Sequence, residues 1–186
     1  MIENGRAFKA SESGSMITLT DDSTGARIGV AHNNRISGVT GSSSVFSTAP
    51  TTLANCTDGD YSTVTGAGQL NLLAAGDYGI ITWDMGTTYT VLVGGRVGVW
   101  AASSRSIWVF IEGSDDNITW RGRTGGIATV NCSGYVSVSP GTEEIADLQT
   151  VILNCRYIRL RFYANGAANT AQAKIYEVFA LDMGGI

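Results

Sequence analysis

Ile107-Trp108-Val109-Phe110-Ile111-Glu112-Gly113-Ser114-Asp115-Asp116-Asn117-Ile118-Thr119-Trp120 reads as a strand, a tight polar turn and the start of a second strand. Ile107, Val109 and Ile111 alternate with Trp108, Phe110 and Glu112, the period-two signal of a strand. Ser114 to Asn117 then gathers short polar side chains that hydrogen-bond their own backbone and tolerate turn geometry. Ile118 and Trp120 restart the apolar pattern, so a second strand is expected to begin there. Both faces of 107–112 carry large apolar groups, whereas antiparallel sheets usually keep one wet face. Trp108 and Phe110 therefore need cover. It comes either from a neighbouring chain, making them interface residues, or from the protein's own arm and loops.

Outward from this stretch the same period recurs. Tyr78 to Met85 carries Ile80, Ile81 and Trp83 and is expected to end in a turn at Gly86-Thr87-Thr88. Tyr89 to Trp100 is β-branched and interrupted by Gly94-Gly95, which signals a bulge or a close backbone approach. Downstream, Ile127 to Val138 reads as a strand pair or one bent strand, and Pro140 to Asp147 as an acidic turn. Leu148 to Leu153 leads into Arg156 to Phe162, where Ile158, Leu160 and Phe162 face in and Tyr157, Arg159 and Arg161 face out. Lys174 to Leu181 closes the domain. Upstream, Arg35 to Val39 reads as a first strand, and Thr40 to Thr52 and Gly66 to Asp77 as loops. About eight short strands separated by turn residues predict an all-β fold, an antiparallel β-sandwich or jelly roll.

Residues 1–34 read as an N-terminal arm or hairpin ahead of a main domain at 35–186. Met16 to Thr20 is expected to pair with Ala26 to Ala31 across the turn Asp22 to Gly25. A lone hairpin is marginal in water, so the arm is expected to dock on the main domain or on a neighbouring subunit as an assembly contact.

Composition narrows the function classes. The 186 residues hold 24 Gly, 2 Pro and 15% charged residues, with 44% hydrophobic. That suits short strands and a real core, since a chain of this length buries roughly 70% of its unfolded surface. The net charge is -4, Lys9 and Lys174 are the only lysines, and the arginines are dispersed. Nucleic-acid binding is not expected, because phosphate neutralisation needs a clustered positive face. No apolar run has the length of a membrane span. Met1-Ile2-Glu3-Asn4-Gly5-Arg6 lacks the pattern of a signal peptide, so synthesis in a host cytoplasm is expected. Cys56, Cys132 and Cys155 are an odd set without metal spacing, which favours reduced thiols over a disulfide framework.

Catalytic chemistry is hard to build. His32 is the only histidine and sits in the arm, which removes Ser-His-Asp, Cys-His and multi-histidine metal arrangements from the main domain. Asp115-Asp116 and Glu143-Glu144 are adjacent pairs, which point apart on a strand and are solvated in a turn. A non-enzyme is expected. Trp100 and Arg105 flank a loop and are the candidates for stacking on, or hydrogen-bonding to, a sugar. The competing reading is a Trp capping the core and an Arg in solvent.

Four segments, in order, make residues 35–182 resemble the discoidin, or coagulation-factor C-type, domain, a galactose-binding-like jelly roll. They are Ala54 to Thr63, Ile81 to Gly86, Gly113 to Trp120, and Arg156 to Leu160 with Tyr176-Glu177-Val178. The resemblance implies a calcium ion held by Asp58, Asp60, Thr63 and Glu177, since calcium takes six to eight hard oxygens. Asp58-Gly59-Asp60 also reads as a plain turn, and where the family carries Trp two residues after the Thr this sequence has Thr65. Two functions are compatible with such a fold. The first is a structural part of an assembly, a virion surface component such as a bacteriophage capsid decoration or tail-associated protein. It would contact other copies of itself and other capsid or tail proteins. The second is a carbohydrate-binding module or glycan adhesin that binds cell-surface glycans.

Overall fold

The computed structural model describes residues 2–3, 6–13, 16–21, 32–60, 62–70, 79–102, 105–121, 133–139, 141–164 and 171–183. Among them are eleven strands in two antiparallel sheets. The first sheet has the order β1-β2-β3-β4, from β1 (Ile2–Glu3), β2 (Arg6–Ser13), β3 (Met16–Asp21) and β4 (His32–Asn33). The expected hairpin is therefore built differently. Met16–Asp21 pairs on Arg6–Ser13, with Ser13 opposite Met16, and its other edge takes His32–Asn33. The anticipated partner, Ala26 to Ala31, lies outside the described residues.

The second sheet has seven strands: β5 (Ser42–Ser44), β6 (Gly68–Gln69), β7 (Gly79–Ala101), β8 (Arg105–Ser114), β9 (Ser133–Val138), β10 (Glu143–Ala164) and β11 (Ala171–Asp182). Two long strands explain its shape. β7 and β10 pair antiparallel along nearly their whole length, from Glu143 opposite Trp100 to Phe162 opposite Gly79. The ladder slips between Ile152 and Tyr157. There Gly86 has φ 82° and Asn154 φ 49°, a left-handed backbone that glycine and asparagine tolerate best. The ribbon bends at this point and serves both layers. Its 91–101 and 143–152 halves join β11 and β6 in one leaf, and its 79–84 and 157–164 halves join β5, β8 and β9 in the other. The turn expected at Gly86-Thr87-Thr88 is thus a bend inside one strand. The acidic turn expected at Pro140 to Asp147 becomes strand from Glu143 onward.

Alternation fills the space between the leaves. Ile81, Trp83, Met85, Val91, Val93, Val97, Val99 and Ala101 of β7 are all buried. They join Ile107, Val109, Ile111, Ile158, Leu160, Phe162, Ile175 and Val178 in one cluster. Each large aliphatic or aromatic side chain so buried contributes about 1.5–3 kcal/mol. The Gly94-Gly95 expectation is met by close approach. A Cβ on Gly94 would lie 2.3 Å from the Phe179 ring, and one on Gly95 would lie 2.6 Å from the Glu177 carbonyl oxygen. The bulge sits on the partner strand, between Ile175 and Glu177 of β11.

Shorter segments depart from the sequence reading. Arg35–Val39 is a turn, fixed by Arg35 N donating to Ala180 O at 2.8 Å. Asn34 Oδ1, beside it, accepts from Ala180 N at 3.0 Å. The 40–52 segment carries the short strand β5, paired on β7, and 66–70 carries β6, paired on β11, while 71–77 lies outside the described residues. Ile118 starts no strand and is 82% exposed. Instead Asp116 Oδ1 accepts from the N–H groups of Ile118 at 2.8 Å and Thr119 at 2.7 Å. The loop then closes when Arg121 bridges back to Gly113.

Candidate functional site

Cross-strand register assembles a cleft on the outer face of the leaf built on β11. Trp100 and Gly98 of β7 stand opposite Glu143 and Ile145 of β10 on one side and Gln172 and Lys174 of β11 on the other. Alternate residues share a sheet face, so these side chains project together, away from the core. Trp100, Glu143, Gln172, Lys174 and Gly98 line a hollow of about 130 Å³. The glycine makes the room, because a Cβ there would come within 2.2 Å of Glu143 Oε1.

The polar groups of the cleft are wired together. Glu143 Oε2 accepts from Lys174 Nζ at 3.1 Å, and Oε1 accepts from the Tyr176 hydroxyl at 3.1 Å. Burial, followed by the bond to Glu143, raises the Tyr176 pKa, so the phenol remains a neutral donor. The wall offers an ammonium, a carboxylate and an amide beside an indole ring only partly covered by its neighbours. Such a set can bind a small polar ring by stacking and hydrogen bonds. Trp100 was anticipated from the sequence. Arg105 heads β8, opposite Val138, and its side chain lies outside the described residues. Glu143, Gln172, Lys174 and Tyr176 were not anticipated. Their signal was the alternation of Gln172, Lys174 and Tyr176 with Ala171, Ala173 and Ile175.

The segment named for calcium folds into an oxygen-rich cup. Leu53–Thr57 is a short 3-10 helix, and the loop after it returns so that Thr65 N donates to Ile175 O at 3.0 Å. Thr63 Oγ1 lies 3.2 Å from Asn55 O, 2.9 Å from Asp58 Oδ2 and 2.9 Å from Asp60 O. One hydroxyl proton cannot serve three acceptors at once, and Asp60 O also accepts from Thr63 N at 3.1 Å and Asp58 Oδ1 from Asp60 N at 2.9 Å. Glu177 is buried, with Oε2 accepting from Gly59 N at 3.2 Å. The Cys56 thiol beside it is pushed up to about 12, first by burial and then by the charge of Glu177. Asp60 turns its carboxylate to Ser62 N and Oγ, at 2.8 and 2.6 Å, which lowers its pKa. Among the described residues no three His, Cys, Asp or Glu side chains converge in metal-holding geometry. The oxygens that gather at the cup are those of Asp58, Glu177 and Thr63 Oγ1 with the Asn55 and Asp60 carbonyls, hard donors of the kind calcium takes.

Trp108 and Phe110 lie on the outer face of the other leaf. Phe110 is only 2% exposed and presents no free surface. Arg161, from the neighbouring strand, lies over its ring at 4.6 Å, and the Trp108 ring stacks beside it at 6.3 Å. Glu112, also buried, binds Arg159 Nε at 2.7 Å and Arg161 Nη2 at 2.9 Å. Arg159 in turn covers the Trp120 ring at 4.1 Å. Arg161 of β10 thus covers Phe110, and it and Arg159 face outward as expected while their side chains are only 15% exposed. Among the described residues no helix is long and apolar enough to cross a membrane.

No family model and no curated protein matches the sequence. Solved structures with similar folds include chitosan-binding module 1 of a chitosanase/glucanase from Paenibacillus sp. IK-5. It is 17% identical over 81% of this chain and 98% of that one, with a TM-score of 0.43. A second is the module CpGH89CBM32-4 of Clostridium perfringens in complex with glcNAc-alpha-1,4-galactose, at 15% identity over 84% and 97%, TM-score 0.44. A third is a fucose-binding module of Streptococcus pneumoniae, at 13% identity over 84% and 99%, TM-score 0.41. At these identities and scores neither family nor ligand is transferred to this chain.

Proposed function

We propose that the chain is a non-catalytic carbohydrate-binding protein and that Trp100 forms the stacking wall of its sugar site. The observation that carries this reading is the cleft: an indole ring beside a glycine-made hollow rimmed by Glu143, Gln172 and Lys174. Sugars present an apolar C–H face and a polar edge, and an aromatic wall with adjacent donors and acceptors complements both. The hollow is small against the roughly 300–1,000 Å³ of drug-sized pockets, which suits one ring or a chain end. The sugar-binding neighbours are compatible with the reading but do not carry it. No observation in the structure or the comparisons points to a virion component. A glycan array on the intact chain tests the proposal. Binding of at least one saccharide class, lost by more than about tenfold in Trp100→Ala, is expected. Binding to no saccharide, or an unchanged Trp100→Ala, overturns it.

We further propose that Asp58, Asp60, Thr63 and Glu177 hold a calcium ion that braces the loop against β11. The ion would take oxygens from Glu177, Asp58 and the groups around Thr63, while the Trp100 cleft makes the sugar contacts. A melting temperature raised by millimolar calcium and lowered by chelator is expected, with both effects absent in Asp58→Asn. An unchanged melting temperature overturns the calcium reading and leaves the sugar reading standing.

A further inference from the structure

Resting on the sugar reading above, we infer that the cleft selects uncharged sugars and that the Glu143–Lys174 pair enforces this. The pair supplies one negative and one positive group 3.1 Å apart on one wall, and the third polar member of the rim, Gln172, is neutral. Glu143 has a partner on each oxygen, Tyr176 on one and Lys174 on the other. Each oxygen keeps a further lone pair, and an ammonium has three protons to place. A sugar hydroxyl is donor and acceptor at once. It can accept from Lys174 and donate to Glu143 without breaking the pair.

Charged sugars fare differently. A uronate meets the Glu143 carboxylate and an amino sugar meets the Lys174 ammonium. Each must also compete with the internal partner already in place. Like charges at contact distance oppose binding even where water screens them. Their side chains are 29% and 38% exposed, so water screens the pair and the effect is a bias in affinity.

The test measures binding of neutral, uronic and amino oligosaccharides of matched length by isothermal titration. The proteins are the intact chain, Glu143→Gln and Lys174→Met, with folding checked by circular dichroism. The intact chain is expected to favour the neutral ligand by about tenfold over both charged ones. Glu143→Gln leaves Lys174 unopposed and should gain for the uronic ligand. Lys174→Met leaves Glu143 unopposed and should gain for the amino ligand, the opposite shift. Equal binding of charged and neutral ligands by the intact chain, or the same shift in both variants, overturns the selectivity while the sugar site stands. Binding of no saccharide by the intact chain overturns both.

Discussion

Gly98 and Glu143 share one small volume: a Cβ on the glycine would stand 2.2 Å from the glutamate Oε1. The clash is with the end of a flexible side chain, so the backbone need not move. Gly98→Ala should therefore change stability by no more than about 1 kcal/mol, helped by the lower entropy of an alanine strand. It should also swing Glu143 away from Lys174 and Tyr176 and weaken sugar binding by more than about tenfold. The neighbouring Gly95→Ala behaves oppositely. Its Cβ would meet the Glu177 carbonyl oxygen at 2.6 Å, which is backbone and cannot rotate aside. That variant should lose about 1–3 kcal/mol in urea melts, the cost of overpacking a rigid site. Equal stability losses in the two variants would remove the case that Gly98 exists to hold the cleft open.

Glu112 should be far more costly to neutralise than the exposed Asp147. Its side chain is 6% exposed and serves two arginines that are each 15% exposed. Removing one partner from a buried ionic group leaves the others uncompensated, at about 3–5 kcal/mol. Glu112→Gln should fall near the bottom of that range, because Gln keeps the volume and one acceptor. Asp147 makes a similar paired contact with Arg96, but the two are 66% and 41% exposed. Asp147→Asn should cost under about 1 kcal/mol. Chemical denaturation of the two variants side by side checks the ordering.

The sandwich was legible because burial follows period two over runs such as Ile81 to Met85 and Ile158 to Phe162. The cleft was only half legible. Trp100 was named as a candidate, but the residues that line the hollow with it come from positions 143, 172 and 174, and only the register of β10 and β11 on β7 brings them together. Glu143 hid behind a Pro-Gly turn signal at 140–141 that in fact precedes a strand. Ile118 misled for a local reason: Asp116 captures two backbone N–H groups and holds the loop, which outweighs the propensity of one exposed isoleucine. Trp108 and Phe110 were read as needing cover from a neighbouring chain or from the arm and loops, because a sequence does not reveal that an arginine of the adjoining strand will lie over the Phe110 ring.

Acid should destabilise the protein through identifiable carboxylates. Asp84 is held below its ordinary value mainly by the Arg156 guanidinium, and Asp147 by Arg96. Asp116 is held lower still by the N–H groups of Thr119 and Ile118. A carboxyl that binds its proton less tightly when folded contributes stability that is complete above the unfolded value of 3.8. That contribution is lost as pH falls from there toward the folded values. Tyr176 works at the other end, since its raised pKa makes a contribution that is present below 10 and lost as pH rises past it. Melting temperature should thus be flat from about pH 5 to 9 and fall on both sides. A melting temperature that holds from pH 5 down to 2 would contradict the assigned bonds.

Cys56 and Cys155 should be chemically silent in the folded protein. Both are fully buried, and burial raises both thiols to about 12. Since the thiolate is the reactive form, at pH 8 only a tiny fraction is available, and that fraction is out of contact with solvent. Iodoacetamide at pH 8 followed by peptide mass spectrometry should leave the peptides containing Cys56 and Cys155 unmodified in native buffer and label them fully in denaturant. The two sites also separate local from global opening. Cys56 sits under the 53–65 loop with Leu53 O as its hydrogen-bond acceptor, whereas Cys155 sits at the bend of β10 against Gly113. If the loop is braced by calcium, chelator should speed labelling at Cys56 and leave Cys155 at the rate of whole-domain unfolding. Equal acceleration at both sites would mean that the cup stabilises the entire sandwich, and no acceleration at either would mean that nothing is bound there.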